Sequence, residues 1–214
     1  MRRFAAGQAG RICGGDHLGR RRPVAVAITG GIGAGKSELL RAFARHGAAV
    51  ISSDEIVHRL LREDAEVKEA IVARFGEGVL GPDGEIERGR VAEIVFADRG
   101  QLDWLEGLLH PRVSAEYLRW REELARLPEP PAVCATEVPL LYEAGSEKYF
   151  DAVVAVTAAP EVRVSRTVEP MPDRERRLIP DEEKLRRADF SYVNNGSLAD
   201  LDSFVSEVIR KLTS

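Results

Sequence analysis

The sequence predicts an α/β domain in which a mainly parallel five-stranded sheet carries helices on both faces. Three observations predict it. Short apolar runs, each entered from a breaker or a polar segment, read as strands buried on both faces. Segments of helical periodicity alternate with them. A glycine-rich stretch joins the first such strand to the first such helix, the arrangement that a phosphate-binding turn requires.

VAVAIT (24–29) is apolar and β-branched and reads as the first strand, ending at Gly30. KSELLRAFARH (36–46) then sets Leu39, Leu40 and Phe43 on one helical face, with Gly47 as the stop. AAVIS (48–52) is the second strand. A mostly helical stretch follows from Glu55 to about Arg126, broken by the turn-rich GEGVLGPDGE (76–85). It exceeds what one crossover needs and reads as an insertion, about 55–126, that holds a second substrate. PAVCATEV (131–138) and DAVVAVT (151–157) are further buried strands, FSYVNN (190–195) a last one, and LADLDSFVSEVIRKL (198–212) a closing amphipathic helix.

Composition narrows the function classes. With 44 % apolar and 31 % charged residues the chain can bury a core. A net charge of −4 argues against coating nucleic acid, and no apolar run reaches the ~20 residues of a membrane span. Two cysteines, Cys13 and Cys134, form neither a disulfide framework nor a metal-ligand pattern, and a reducing, cytoplasmic setting is expected. Residues 1–22 hold six arginines against one aspartate and no apolar stretch of signal-peptide length. They are expected to be a disordered tail or a wrongly included upstream start, the alternative being a basic arm for an acidic partner. The domain proper is then 23–214.

The chemistry centres on Gly30-Gly31-Ile32-Gly33-Ala34-Gly35-Lys36-Ser37, which satisfies G-x-x-x-x-G-K-[ST], the P-loop pattern. Glycines let successive backbone N–H groups turn towards phosphate oxygens, and the following helix adds its N-terminal partial charge. Lys36 can reach the β- and γ-phosphates of ATP, and the Ser37 hydroxyl can ligate Mg²⁺.

Asp54 follows the second strand. A helix of that length climbs about 16 Å and the strand returns about as far, bringing the chain level with the loop again. A carboxylate there can take the proton of an attacking hydroxyl or orient it; alternatively Asp54 or Ser53 caps the next helix. Glu137 ends the third strand and can hold Mg²⁺ through water, or pair with an arginine at the edge of the core. Glu143 is equally explained as a surface residue starting a helix, His110 lies near the end of a helical segment, and Cys134 is a small core residue. Trp104 and Trp120 read as packing residues.

AITGGIGAGKS, VISSDEIVH, GEIERGRVAEIVF, LLHPRV, EVPLLYEAG, FDAVVAV and EEKLRRADFSYVNNGSL occur in the order of the dephospho-CoA kinases, a family the chain resembles over about 24–212. The resemblance implies phosphorylation of the ribose 3′-hydroxyl of dephospho-CoA by ATP and Mg²⁺, a P-loop core, a helical CoA-binding region and a lid, here about 160–188. It implies that Gly31, Ile32, Gly33, Ala34, Gly35, Lys36, Ser37 and Glu38 hold ATP, that Asp54 is the catalytic aspartate and that Arg166 is the lid arginine on ATP. Arg88, His110 and Leu141 fall on substrate-binding motifs. Two departures stand out: Ser52-Ser53-Asp54 replaces the usual Asp-Ala-Asp, and the lid is shorter, with Leu178 where glutamine is usual and Arg174 or Arg176 as a substitute charge. The alternatives are another small-molecule or nucleotide kinase and a nucleotide-binding module with little turnover. A regulatory GTPase is disfavoured, since Asn194-Asn195-Gly196-Ser197 does not fit its guanine-reading N-K-x-D.

Overall fold

The computed structural model describes residues 22–166 and 178–214. These form two compact units: Ser53–Tyr117, and the described residues on either side of it.

The flanking unit is built on a sheet of five parallel strands, β1 (Val24–Gly30), β2 (Ala49–Ser52), β3 (Val133–Glu137), β4 (Ala152–Thr157) and β5 (Phe190–Val193), in the order β2-β3-β1-β4-β5. Strand alternation divides its side chains between two cores. On one face Val26, Ile28, Val133, Ala135, Val154 and Val156 pack against α1 (Lys36–Arg45) and the last helix, α8 (Leu198–Thr213). On the other, Ala27 and Val153 pack against Val138, Leu141 and Tyr142. Both faces are covered, which is why β1, β3 and β4 read as unbroken apolar runs.

Local signals fix the ends. Gly47, at φ 82°, closes α1, its N–H on the Ala44 carbonyl at 3.0 Å and the next N–H on Phe43 at 3.1 Å. Ser197 and Asp200 make a reciprocal capping box that starts α8. Cys134 is buried in β3, and burial pushes its thiol up to about 11, consistent with an inert core residue.

The strands' carboxyl ends collect at one edge. Gly30 is in register with Val156, Ser52 with Glu137, and Ile28 with Glu137 on the other side of β3. Five turns therefore leave the sheet where parallel α/β proteins place their ligands.

The helical unit contains α2 (Ser53–Glu63), α3 (Ala65–Phe75), α4 (Arg88–Ala97) and most of α5 (Arg99–Ala125). Leu61, Val67, Ile71, Val79, Val91, Val95 and Leu109 form its core. Asp64 caps α3 by accepting from the Val67 N–H at 3.1 Å. The turn-rich 76–85 segment is a short 3₁₀ turn followed by a glycine-supported loop, closed by an antiparallel bridge between Leu80 and Ile86. Trp104 packs edge-on to Phe75 at 5.3 Å.

Three local expectations change. His110 is not near a helix end: α5 runs 27 residues and contains Pro111. A proline removes one helical N–H, and the turn holds nonetheless, with the Arg112 guanidinium donating to the Leu108 carbonyl at 3.1 Å. Glu143 is not a surface residue starting a helix. It is mostly buried, 2.9 Å from the almost wholly buried Lys184 ammonium, and it accepts the Ile179 N–H at 2.8 Å. Arg22, counted with the basic tail on composition, pairs with Asp151 at 2.8 Å.

Candidate active site

The loop between β1 and α1 has the conformation its glycines make possible. Gly33 and Gly35 take φ of 72° and 95°, in the left-handed region. At Gly35 a Cβ would stand 2.1 Å from Asn194 Nδ2, so neighbour as well as backbone demands glycine. At Gly31 a Cβ would meet Asp181 Oδ1 at 2.8 Å and Arg163 Nη2 at 3.0 Å. The loop is thus walled by residues from other turns of the same unit.

Lys36 opens α1, and its ammonium donates to the Gly31 carbonyl at 3.0 Å, across the loop. Ser37, the next residue, is exposed; its hydroxyl donates to Glu137 Oε1 at 3.4 Å, a long bond to a carboxylate 7 % exposed. Hydroxyl and carboxylate are hard oxygen donors, the type Mg²⁺ selects, and two protein ligands are the usual complement for an ion that keeps water and phosphate oxygens. Among the described residues no group of three or more His, Cys, Asp or Glu could hold a metal ion.

Glu38 faces its own helix. Burial pushes its carboxyl up, and hydrogen bonds from Arg41 and Arg45, both at 3.0 Å, outweigh that and hold it below the usual range.

α6 (Pro160–Arg166), after β4, brings two arginines to the loop. Arg166 Nη1 lies 3.5 Å from where a Gly35 Cβ would be, and Arg174 and Arg176 lie outside the described residues. Arg163 donates from Nε to the Ile32 carbonyl at 2.8 Å and from Nη1 to Asp181 Oδ2 at 3.2 Å. Asp181, the first residue of α7 (Asp181–Arg187), also accepts from Thr157 Oγ1 at 2.7 Å. Asn194, just past β5 and 6 % exposed, donates from Nδ2 to the Ala34 carbonyl at 3.0 Å.

Sequence reasoning missed Arg163, Asp181 and Asn194 as neighbours of the loop. The signal for Asn194 is its place, a polar residue directly after an edge strand at the carboxyl end of the sheet. Arg163 lies three residues before Arg166 in a seven-residue helix, and nothing in its spacing distinguishes it.

Of the remaining expected residues, Leu141 lies in the sheet unit and Asp54, Arg88 and His110 in the helical unit. Leu141 is fully buried in the second sheet core, where its side chain packs the fold. Asp54 is exposed and lies in the first turn of α2, two residues past Ser52. It is inside the helix and not a cap preceding it, and a carboxylate in a first turn is favoured by the helix dipole. Arg88, the first residue of α4, is exposed, with Nη1 3.1 Å and 3.0 Å from the two ring nitrogens of His58. His110 is half-buried in α5.

The site therefore brings together a glycine-rich turn with a lysine across it, a hydroxyl–carboxylate pair that could hold a divalent ion, and arginines beside the turn. The family model for dephospho-CoA kinase matches residues 24–200. The chain belongs to the dephospho-CoA kinase family. A dephospho-CoA kinase of Protochlamydia amoebophila is 36 % identical over 198 residues, covering 87 % of this chain and 95 % of that one. One from Streptomyces avermitilis is 41 % identical over 143 residues, 67 % of this chain and 68 % of its own. Among solved structures, a Thermus thermophilus protein superposes with TM-score 0.73 at 35 % identity, covering 91 % of this chain and all of its own. The dephospho-CoA kinase of Campylobacter jejuni superposes with TM-score 0.66 at 28 % identity, covering 88 % and 96 %. Membership of the dephospho-CoA kinase family thus spans nearly the whole described chain.

Proposed function

We propose that this protein transfers the γ-phosphoryl group of ATP to the ribose 3′-hydroxyl of dephospho-CoA, giving coenzyme A and ADP. The observation that carries the reading is the phosphate loop, with Lys36 spanning it and the Ser37–Glu137 pair at its helix end, in a chain of the dephospho-CoA kinase family.

The residues divide the work by chemistry. The loop's N–H groups and the α1 N-terminus hold the phosphates. Lys36 leaves the Gly31 carbonyl for the β- and γ-phosphate oxygens as these arrive. Ser37 would hold Mg²⁺ directly and Glu137 through water, and the ion when bound neutralises charge on the phosphates. Arg166, beside Gly35, gives a planar fork to the phosphoryl group in transfer. Asp54 accepts the proton of the attacking 3′-hydroxyl as the oxygen–phosphorus bond forms and the bond to the β-phosphate oxygen breaks, leaving ADP. Arg88 and His110, in the helical unit, bind the substrate. On this reading the enzyme works in the cytoplasm, among its soluble substrates.

An ADP-release assay with ATP, Mg²⁺ and either dephospho-CoA or a panel of nucleosides and sugar alcohols tests the substrate. Turnover with dephospho-CoA at least ~10²-fold above any panel member is expected, since a site built for a substrate's polar groups rejects analogues that lack them by such factors. Preference for a panel member would make this another small-molecule kinase; ATP binding without turnover would make it a binding module.

A further inference from the structure

A phosphate loop binds through main-chain N–H groups, so whatever fixes the direction of its peptides also sets its affinity. In a planar trans peptide the carbonyl and the following N–H point opposite ways. Holding the Ala34 carbonyl to one side thus aims the Gly35 N–H to the other. The same coupling joins the Ile32 carbonyl to the Gly33 N–H, and the Gly31 carbonyl to the Ile32 N–H. Each of these three carbonyls accepts a hydrogen bond from a side chain: Gly31 from Lys36 at 3.0 Å, Ile32 from Arg163 at 2.8 Å, and Ala34 from Asn194 at 3.0 Å.

We propose that Asn194 is a positioning residue for phosphate binding: its amide holds the Ala34 carbonyl outward and thereby keeps the Gly35 N–H turned to the ligand, with Arg163 doing the same, more weakly, for Gly33. The proposal rests on the reading that this loop holds the phosphates of ATP.

Asn194 is built for this. Its own N–H donates to the Thr157 carbonyl at 2.7 Å, which ties its backbone to the end of β4. Its side chain is buried and lies against the loop so closely that only glycine fits at position 35. The Ala34 carbonyl precedes the helix, whose first bond runs from the Leu39 N–H to Gly35, so it has no helical donor of its own. Removing the amide leaves a buried carbonyl that regains a partner only if the peptide rotates, and that rotation turns the Gly35 N–H away from the ligand. Arg163 is a quarter exposed, so water can take its place at Ile32 and the effect of its loss is smaller.

The test measures dissociation constants of ATP and of tripolyphosphate, a phosphate chain without a nucleoside, on the full-length protein and on Asn194→Ala, Asn194→Leu and Arg163→Ala. Leu preserves the shape of Asn without its donor, so it stands in if the cavity left by Ala unfolds the protein. Both Asn194 variants should weaken ATP and tripolyphosphate by the same factor, about 10–100-fold, the worth of one buried carbonyl left without a donor. Arg163→Ala should weaken both by less. The KM for dephospho-CoA should stay within about twofold while that for ATP rises, a split that general loss of structure does not give. Weakened ATP with unchanged tripolyphosphate would mean that Asn194 acts on the nucleoside, and unchanged affinity for both would remove its role; either overturns the proposal. A wild-type protein that binds neither ligand overturns the phosphate-loop reading itself, a result distinct from the other two.

Discussion

The two units use polar side chains differently. In the sheet unit, besides pairing with one another, several reach main chain far away in sequence: Asn194 to Ala34, Arg163 to Ile32, Lys184 to Pro139, Arg121 to Tyr149, and Asp151 and Asp189 to the N–H groups of Ala25 and Val153. In the helical unit the bonds to main chain are local, from Arg90 and Arg112 and to Asp64, Asp83 and Asp98, while Arg59–Glu116, Lys68–Glu85 and Arg112–Glu66 join side chains across the surface. The difference follows from the backbone. A helix satisfies its own N–H and C=O groups, whereas the turns at the end of a parallel sheet expose theirs and need donors from elsewhere. Asn194, Arg163 and Lys184 fix backbone at the carboxyl edge of the sheet, and Asp151, Asp189 and Arg121 at or before the amino ends of its strands.

The largest effect is expected at the loop. Lys36→Ala should lower kcat/KM by about 10³-fold or more with the fold intact, since it removes the charge spanning the phosphates. Near-normal turnover from a folded variant would break the assignment of this turn as the phosphate site. Asp54→Asn, in the helical unit, should lower kcat by roughly 10²–10⁴-fold, the usual worth of a positioned general base. ATP affinity should hold, and stability should fall by no more than about 1 kcal/mol, the contribution of one first-turn charge to the helix dipole. Full turnover in Asp54→Asn would reduce this residue to a helix-dipole partner.

Stability sharpens the same contrast. Lys184 is 1 % exposed and joins Glu143 to the Pro139 carbonyl, so Lys184→Met leaves a mostly buried carboxylate without its cation. A loss of about 3–5 kcal/mol is expected in denaturant titration, recovered in large part by Lys184→Met with Glu143→Leu. Arg59→Ala breaks a 2.6 Å pair whose arginine is 41 % exposed, and should change stability by less than about 1 kcal/mol. Equal costs for the two pairs would contradict the division between the units.

What the sequence disclosed follows the same line. Strands buried on both faces carry their signal in composition, so β1, β3 and β4 are legible within two residues, and the loop is legible because its glycines are required one by one. The edge strand β5 is legible because Phe190 and Tyr192 alternate inward, the latter stacking on Phe204 at 4.7 Å. Pro111 hid the continuity of α5, since tertiary packing overrides a local breaker. Glu143 and Lys184 sit far apart in sequence, and no local pattern announces a buried pair. Asn194 and Arg163 act through carbonyls 160 and 131 residues away, which only the folded chain reveals.

The most direct test of the account follows the phosphoryl group itself. In a single turnover with γ-labelled ATP, Mg²⁺ and excess enzyme, the label should pass to dephospho-CoA alone, be found on the ribose 3′-oxygen by phosphorus NMR, and stay on ATP when dephospho-CoA is omitted. Label released to water at the same rate with or without dephospho-CoA, or carried faster to another hydroxyl compound, would contradict it.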